Sequence, residues 1–205
     1  MYVLTPDTDD TDALVARVAA AAEGGAVAVQ YRHKHASRAK RLQQASALAG
    51  MLAARNILFI VNDDPALAAE VGADGVHIGE DDGSPAAARA RIGADAIIGV
   101  SCYGDLDRAV AAVSAGADYV AFGSFHASAT KPAARRADLS LLPRARALRV
   151  PVVAIGGIDA ANAGALFAAG ADAVAVVSAV FASEDPASIR NAAAAIARAA
   201  SLPIR

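Results

Sequence analysis

A short motif, Gly-Ala-Asp followed by an aliphatic run, recurs in this chain of 205 residues. Three of its copies begin at Gly72, Gly116 and Gly170, each after an alanine-rich stretch and before a run that contains valine. A glycine at the end of a helix readily adopts the left-handed conformation that terminates the helix, and a strand then begins about two residues later. The repeat therefore predicts a chain that passes regularly from helix to strand.

Short β-branched runs alternate with longer alanine-rich stretches along the whole sequence. This alternation is typical of βαβ units and a parallel sheet, and continuous apolar runs such as 152–155 indicate a sheet covered on both faces. The predicted strands span residues 2–4, 26–30, 57–61, 75–78, 97–101, 119–122, 152–155 and 173–177. The predicted helices span residues 12–22, 38–55, 65–71, 84–92, 105–115, 139–148, 161–169 and 186–200.

Eight strands joined by regular junctions favour an α/β fold of one particular kind, a single (β/α)8 TIM barrel. Eight parallel strands close a barrel whose interior can be filled by side chains. An open doubly wound sheet is the alternative that the same alternation allows. The length favours one domain over residues 1–205, with short helices and loops, because it lies at the low end for this fold.

Composition argues against several classes of protein. The net charge of -2 and a pI near 6.1 do not suit a general nucleic-acid binder, and aromatic residues make up only 4%. The one cysteine, Cys102, excludes an internal disulfide and disfavours a cysteine-based metal site. We find neither a signal peptide nor a run of about 18 apolar residues. The sequence therefore predicts a cytoplasmic protein with no membrane partner, and it leaves a homo-oligomer open.

Polar residues collect where the predicted strands end, which is where (β/α)8 barrels carry their active sites. Because seven strands share this feature, the pattern indicates a site on one rim of the barrel. The polar segments are residues 30–34, 62–64, 79–82, 101, 123–131, 156–157 and 177–178.

Asp63 and Asp82 are the most informative pair on this rim. They follow neighbouring strands, so their carboxylates could share one Mg²⁺, which favours carboxylate, phosphate and water oxygens. The alternative is a helix-capping role, because Asp63-Asp64-Pro65 also looks like a helix start. The residues alone do not decide between these roles. Asp64 and Asp81 are expected to be caps or solvated charges.

Other rim residues suit anionic ligands. Arg32, Lys34 and Lys131 offer positive charge for phosphate, although surface charge is the usual role of such residues. The amides of Gln30 and Asn62 can donate and accept hydrogen bonds, in a ligand site or at a strand end.

Backbone groups and hydroxyls complete the predicted rim. Gly156-Gly157 and Val177-Ser178 can bring backbone N–H groups to a phosphate, or they can simply form tight turns. Hydroxyls come from Ser101, Ser128 and Thr130.

The four histidines are expected in two kinds of place. His77 alternates with Val76 and Ile78 in a predicted strand, so it should point into the barrel and be hydrogen-bonded there. His33, His35 and His126 are expected in exposed loops.

These motifs together resemble the thiamine phosphate synthase family over almost the full length of the chain. The resemblance is carried by the following segments: Gln30-Tyr31-Arg32-His33-Lys34, Asn62-Asp63, the run 72–79 that leads to Asp82, Gly99-Val100-Ser101, Ser128-Ala129-Thr130-Lys131 and Ile155-Gly156-Gly157-Ile158. The sequence departs from the family pattern at Glu80, His126-Ala127, Ser128 and Ala173. None of these changes removes a charged group that the chemistry needs.

The resemblance implies small-molecule substrates, a pyrimidine diphosphate and a thiazole phosphate, joined with release of pyrophosphate. It implies Mg²⁺ as cofactor, with Asp63 and Asp82 as ligands, and Arg32, Lys34 and Lys131 as catalytic residues that balance the diphosphate charge. The remaining implied substrate-binding residues are Gln30, Tyr31, His33, Asn62, Ser101, Ser128, Ala129, Thr130, Gly156, Gly157, Val177 and Ser178. The alternatives are a related thiazole tautomerase and a non-catalytic protein that binds thiamine precursors.

Overall fold

A computed structural model describes residues 1–127 and 136–200. Eight parallel strands form a closed barrel, in which each strand pairs with the next and β8 pairs with β1. The strands are β1 (Tyr2–Leu4), β2 (Ala28–Tyr31), β3 (Leu58–Asn62), β4 (Gly75–Ile78), β5 (Ile97–Tyr103), β6 (Tyr119–Phe122), β7 (Val152–Ile155) and β8 (Ala173–Val176). The predicted (β/α)8 barrel is confirmed, and the open doubly wound sheet is excluded.

Helices connect successive strands and surround the barrel. They are α1 (Thr11–Glu23), α2 (Arg38–Ala53), α3 (Pro65–Val71), α4 (Pro85–Ile92), α5 (Leu106–Ser114), α6 (Leu141–Ala145), α7 (Ala163–Ala169), α8 (Ser178–Phe181) and α9 (Pro186–Ala199), with a 3₁₀ turn at Arg146–Leu148. Helix α8 is a single turn that the sequence did not predict. Within residues 1–127 and 136–200, no helix has both the length and the apolar character needed to cross a membrane.

Polar side chains begin most of the longer helices, as the sequence chemistry requires. The first N–H groups of a helix have no partner within the helix, and a short acceptor side chain satisfies one of them. Six of the helices begin in this way, with the caps Asp10, Ser37, Asp64, Ser84, Asp105 and Asp185. These caps fix where the helices begin relative to the strand ends that precede them.

The Gly-Ala-Asp repeat works through both its glycine and its aspartate. Gly72, Gly116 and Gly170 all have positive φ angles, of 64°, 97° and 114°, which confirms their predicted role in ending helices. The role of the aspartates was not foreseen. Asp74, Asp118 and Asp172 each lie just before a strand, and each side chain binds the backbone at the beginning of the preceding strand of the barrel.

The three aspartate clamps have the same geometry. Oδ2 of Asp74, Asp118 and Asp172 accepts the backbone N–H of Phe59, Ile98 and Val152, at 2.7, 2.7 and 2.8 Å. The clamps therefore tie β3 to β4, β5 to β6 and β7 to β8 at the amino-terminal end of the barrel. They hold the register of the strands at the end opposite the polar rim.

Several predicted boundaries are wrong by one or two residues. Strand β2 includes Tyr31, β3 includes Asn62, and β5 continues to Tyr103 through an irregularity in its pairing with β6. Strand β8 instead ends at Val176, one residue early. The differences arise because a strand ends where its neighbours stop pairing with it, and a single segment of sequence does not contain that information.

The core has two layers separated by the barrel wall. Side chains of the inner layer fill the barrel: Tyr2, Leu4, Ile60, Tyr119, Ala121, Val153 and Ala175. The outer layer is larger and lies between strands and helices, with Leu14, Leu48, Leu142 and Ile189 among its fully buried members. The two layers leave the carboxyl end of the barrel open for polar groups.

The clamps predict a stability effect that can be measured at Asp172. Asp172→Ala leaves the N–H of the buried residue Val152 without its acceptor, so the free energy of unfolding should fall by about 1–3 kcal/mol. Urea denaturation of wild type and variant would measure the difference. Asp95→Ala, at an exposed position in the turn before β5, is the matched control and should change stability by less than about 0.5 kcal/mol. Equal effects of the two substitutions would contradict a clamping role.

Candidate active site

A cavity of about 710 Å³ opens at the carboxyl end of the barrel. Its size is within the range of small-molecule sites, and its walls come from strands on all sides of the barrel. The predicted site residues that line it are Gln30, Arg32, Asn62, Ser101, Gly156, Gly157, Val177 and Ser178. The structure therefore brings together predicted residues that are far apart in the sequence.

A chain of hydrogen bonds crosses the interior of the barrel beneath this cavity. Gln30 Nε2 donates to the Tyr2 hydroxyl at 2.6 Å, and the Tyr2 and Tyr119 hydroxyls lie 3.0 Å apart. His77 Nδ1 lies 2.9 Å from the Tyr119 hydroxyl, and His77 Nε2 lies 2.8 Å from Ser101 Oγ. The predicted interior, hydrogen-bonded position of His77 is confirmed. The two tyrosines were missed, because in the sequence they look like ordinary core residues.

A smaller cavity of about 230 Å³ adjoins the ends of β2 and β3. Arg32, Lys34, Asn62 and Asp63 line it, and Arg41 of α2 joins them. Arg32 and Asn62 also line the large cavity, so they stand between the two spaces. This region collects cationic and amide groups in the way that an anionic ligand requires.

Tyr31 and His33 occupy positions that the linear motif does not reveal. The Tyr31 side chain is only 2% exposed, and its hydroxyl donates to Gln44 Oε1 of α2 at 2.9 Å, so it packs in the outer core and touches only the smaller cavity. The prediction that His33 is an exposed loop residue is wrong. Its side chain is 7% exposed, and its Nδ1 accepts the N–H of Ala36. The side chain is buried because the loop after β2 folds over it.

The Asp63 and Asp82 carboxyl groups meet at the rim, at the ends of β3 and β4. Burial, a hydrogen bond with Asp82 and the charge of Asp82 together raise the pKa of Asp63 to about 6, and the charge of Lys34 opposes this rise. Asp63 has a φ of 61°, and its N–H donates to the His77 carbonyl at 2.8 Å. Such left-handed backbone is uncommon outside glycine and is often found at functional positions.

The neighbouring aspartates have structural positions. Asp64, and not Asp63, caps α3: its Oδ1 accepts the N–H of Leu67 at 2.9 Å, and its Oδ2 contacts Arg41 at 3.2 Å. Asp81 is exposed. The expectation that Asp64 is a cap is confirmed, and Asp63 is left with its carboxyl group turned to Asp82.

The two carboxyl groups fit a divalent cation that completes its shell with other oxygens. Within the described part of the chain, His, Cys, Asp and Glu side chains form no group of three or more that could hold a metal ion. Mg²⁺ usually takes only one or two carboxylates and fills its remaining positions with water and phosphate oxygens. Two adjacent carboxyl groups that share a proton match this requirement, since a cation would replace the proton.

Gly156 and Gly157 follow β7, opposite the carboxyl pair in the barrel. Their φ angles are 106° and 62°, and a Cβ on Gly157 would lie 2.2 Å from the Ala127 carbonyl oxygen. Glycine is therefore needed both for backbone conformation and for close packing against the loop after β6. Ser178 begins α8 beside them and also faces the cavity.

The loop after β6 is described over residues 123–127 and 136–140. Ser124 directly follows Gly123, and its hydroxyl donates to the His126 carbonyl at 2.6 Å. His126 is half-buried, which differs from the exposed position expected for it. The predicted site residues Ser128, Ala129, Thr130 and Lys131 lie outside the described residues.

The raised pKa of Asp63 predicts a pH-dependent stability in Mg²⁺-free buffer. The folded state holds this proton more tightly than the unfolded state does, so the contribution of Asp63 to stability should fall from pH 4 to pH 6 and then stay constant. Asp63→Asn removes the titrating carboxyl group and therefore the fall in stability that it causes. Asparagine also tolerates the positive φ at this position. The unfolding free energy of the variant relative to wild type should therefore rise across that interval.

Chemical denaturation at several pH values, with a chelator present, would measure this difference. Asp81→Asn is the control, and its difference from wild type should not vary with pH. A difference for Asp63→Asn that is also independent of pH would show that the Asp63 carboxyl group is not perturbed.

Comparison with known proteins identifies the family. The sequence profile described as thiamine monophosphate synthase matches residues 1–180. The chain is 54% identical to the thiamine-phosphate synthase of Thiobacillus denitrificans over 97% of this chain and 93% of the relative. It is 53% identical to that of Chromobacterium violaceum over 94% and 93%. A solved thiamine phosphate pyrophosphorylase from Pyrococcus furiosus superposes with a TM-score of 0.85 at 33% identity, over 98% of this chain and 94% of that one. The chain therefore belongs to the thiamine monophosphate synthase family, an enzyme family of the transferase class.

Proposed function

We propose that this enzyme is a thiamine phosphate synthase. It joins 4-amino-2-methyl-5-hydroxymethylpyrimidine diphosphate to 4-methyl-5-(2-phosphoethyl)thiazole and releases pyrophosphate. With the carboxylated form of the thiazole, carbon dioxide is released as well. Membership of the family and the names of its relatives support the activity. The observation that carries the proposal within the structure is the contact between the Asp63 and Asp82 carboxyl groups beside a cavity of suitable size.

The diphosphate is assigned to the end of the site formed by β2, β3 and β4. Asp63 and Asp82 are the proposed Mg²⁺ ligands, and bound Mg²⁺ would neutralise charge on the diphosphate oxygens. Arg32 and Lys34 line the adjoining cavity and would balance the remaining negative charge. Lys131 is proposed for the same role from the sequence motif alone. Lys34 also lowers the pKa of Asp63, which favours the charged carboxylate that a cation needs.

The chemistry assigns no nucleophilic side chain. The carbon–oxygen bond to the diphosphate breaks, and its electron pair leaves with pyrophosphate. The amino group of the pyrimidine donates electron density to the resulting cation, and the thiazole nitrogen then forms the new carbon–nitrogen bond. The protein positions the two rings and stabilises the charge that develops as pyrophosphate leaves.

The thiazole phosphate is assigned to the opposite side of the cavity. Gly156 and Gly157 expose backbone after β7, and the Ser178 hydroxyl and the Val177–Ser178 segment lie beside them. The loops after strands seven and eight commonly bind phosphate in barrels of this kind. Two anionic groups held on opposite sides would leave the reacting ends of the substrates facing each other in the middle.

The two alternative functions are less well supported. A thiazole tautomerase would need a histidine directly after Gly123, and Ser124 stands there with its hydroxyl bonded to a backbone carbonyl. A non-catalytic binding protein would not need the pair of carboxyl groups. Turnover distinguishes both alternatives from a synthase.

The activity is tested directly with purified protein, the two substrates and Mg²⁺. We expect equal amounts of thiamine phosphate and pyrophosphate to form, at a rate that depends on both substrates. Chromatography measures the first product, and a coupled phosphate assay measures the second. Isomerisation of the thiazole without coupling, or binding without any product, would contradict the proposal.

The metal assignment is tested by titrating Mg²⁺ in the same assay. Asp63→Asn and Asp82→Asn keep side-chain size but remove charge, so each should raise the half-saturating Mg²⁺ concentration by about tenfold or more. The double variant should be little worse than the worse single variant, because both residues act on one ion. Asp81→Asn provides the exposed control and should titrate like wild type. Wild-type titration curves for both single variants would remove Asp63 and Asp82 from the metal site.

A further inference from the structure

The buried hydrogen bonds beneath the cavity form one unbroken series, here called the interior relay: Gln30, Tyr2, Tyr119, His77 and Ser101. Its two ends, Gln30 and Ser101, line the large cavity. Tyr2 and Tyr119 are 5% and 7% exposed. Tyr2 and His77 also border this cavity, so the relay links Gln30 to Ser101 along its inner surface by direct hydrogen bonds between side chains.

Each inner side chain in the relay donates a hydrogen bond to one neighbour and accepts one from the other, so the direction of one bond sets the direction of the next. A tyrosine hydroxyl has one proton to donate, a neutral imidazole donates at one nitrogen and accepts at the other, and a carboxamide donates through nitrogen and accepts through oxygen. When Gln30 donates to Tyr2, the Tyr2 proton is directed to Tyr119, and the Tyr119 proton to His77 Nδ1. His77 then carries its proton on Nε2 and donates it to Ser101.

The consequence lies at the two ends of the relay. In this order the Ser101 proton is free to point into the cavity as a donor, and Gln30 keeps its Oε1 as an acceptor. Turning the Gln30 amide over reverses every bond, so that Gln30 offers an N–H and Ser101 offers a lone pair. The amide orientation is assigned from the hydrogen bonds, but both orders share one property. In each order one end directs a proton into the cavity and the other end directs a lone pair, and each end keeps a further donor or acceptor position.

We propose that the interior relay makes Tyr2 and Tyr119 positioning residues for substrate recognition. They hold Gln30 and Ser101 as a matched pair, one acceptor and one donor, which suits a planar heteroaromatic ring with an amino group beside a ring nitrogen. This inference rests on the proposed function, since the aminopyrimidine ring has that pattern. A ligand edge with two donors or two acceptors would match this pair less well.

The surrounding packing keeps the relay in one arrangement. The His77 ring stacks on Tyr119 with centroids 5.5 Å apart, and Tyr2 meets Tyr119 edge to face. Gly99 lies under the Tyr119 ring, where a Cβ would come within 2.0 Å of Cζ. Burial raises the pKa of Tyr2 to about 12 and that of Tyr119 well above 10, so both hydroxyls keep the protons that the relay requires.

The tautomer of His77 is the direct test, and it does not depend on turnover. Nitrogen NMR of the full chain labelled with ¹⁵N-histidine, with the His77 signals assigned by a His77→Gln variant, should show one neutral tautomer in the wild type bound to the pyrimidine diphosphate. Tyr119→Phe keeps the ring but removes the partner of Nδ1, so the two tautomers should become mixed. Tyr31→Phe removes the hydroxyl of another buried tyrosine, outside the barrel, and should leave the His77 tautomer unchanged.

A mixed or doubly protonated His77 in the wild type would overturn the proposal, and so would an unchanged tautomer in Tyr119→Phe. Tyr2→Phe interrupts the relay at another bond and supplies a second variant if Tyr119→Phe does not fold. Because these readouts need only ligand binding, an enzyme that forms no thiamine phosphate would disprove the proposed activity without affecting this result.

Kinetics test the consequence for recognition. Tyr119→Phe should raise the KM for the pyrimidine diphosphate by about tenfold, the effect of one mispaired hydrogen bond in a buried site. The KM for the thiazole phosphate should not change, because Gly156, Gly157 and Ser178 lie outside the relay. A similar rise in both KM values would indicate general damage to the barrel and would contradict a positioning role.

Discussion

Closure of the sheet is the constraint on which the rest of this structure depends. β8 pairs with β1, with Tyr2 opposite Ala175 and Val3 opposite Val176, so each strand of the barrel has a neighbour on both sides. Parallel strands in a closed ring must all end on the same rim. Residues as distant in the sequence as Gln30 and Ser178 therefore line one cavity. The site exists because the ring closes, and no single βα unit contains it.

The two ends of the barrel divide stability and function between them. At the amino-terminal end, Asp74, Asp118 and Asp172 each accept a backbone N–H of the neighbouring strand. At the carboxyl end, Asp63 and Asp82 bring two acidic groups together, which raises the pKa of Asp63 and disfavours the charged pair. Aspartate side chains therefore stabilise strand pairing at one end, and at the other end they form an unfavourable contact between two acidic groups. Such strain is tolerated where a ligand relieves it.

The interior of the barrel contains polar side chains that are buried and still hydrogen-bonded. Five side chains satisfy one another in series, and four of them, Gln30, Tyr2, His77 and Ser101, border the cavity. In a medium of low polarity, unpaired members would be costly, so the series is held in a defined order. Rigidity of this kind suits a reaction in which the protein positions rings and charges and contributes no nucleophile.

The order of the elements was available from the sequence because each signal is local. The Gly-Ala-Asp repeats, the capping residues and the β-branched runs act within a few neighbours, and eight strands and the rim of polar residues followed from them. The alternation of His77 with Val76 and Ile78 similarly indicated its interior position. The position of Asp63 and Asp82 on the same rim could also be predicted, because each of them follows one of two neighbouring strands.

Other properties were decided only by the tertiary structure, because they depend on which distant groups meet. The ends of β2 and β5 were set by pairing with neighbours, and His33 became buried because a loop folds over it. Tyr31 was turned to α2 by the alternation of a strand that ends one residue later than predicted. The capping role fell to Asp64 and left Asp63 facing Asp82. Tyr2 and Tyr119 are 117 positions apart, and only the closed barrel brings their hydroxyls within 3.0 Å.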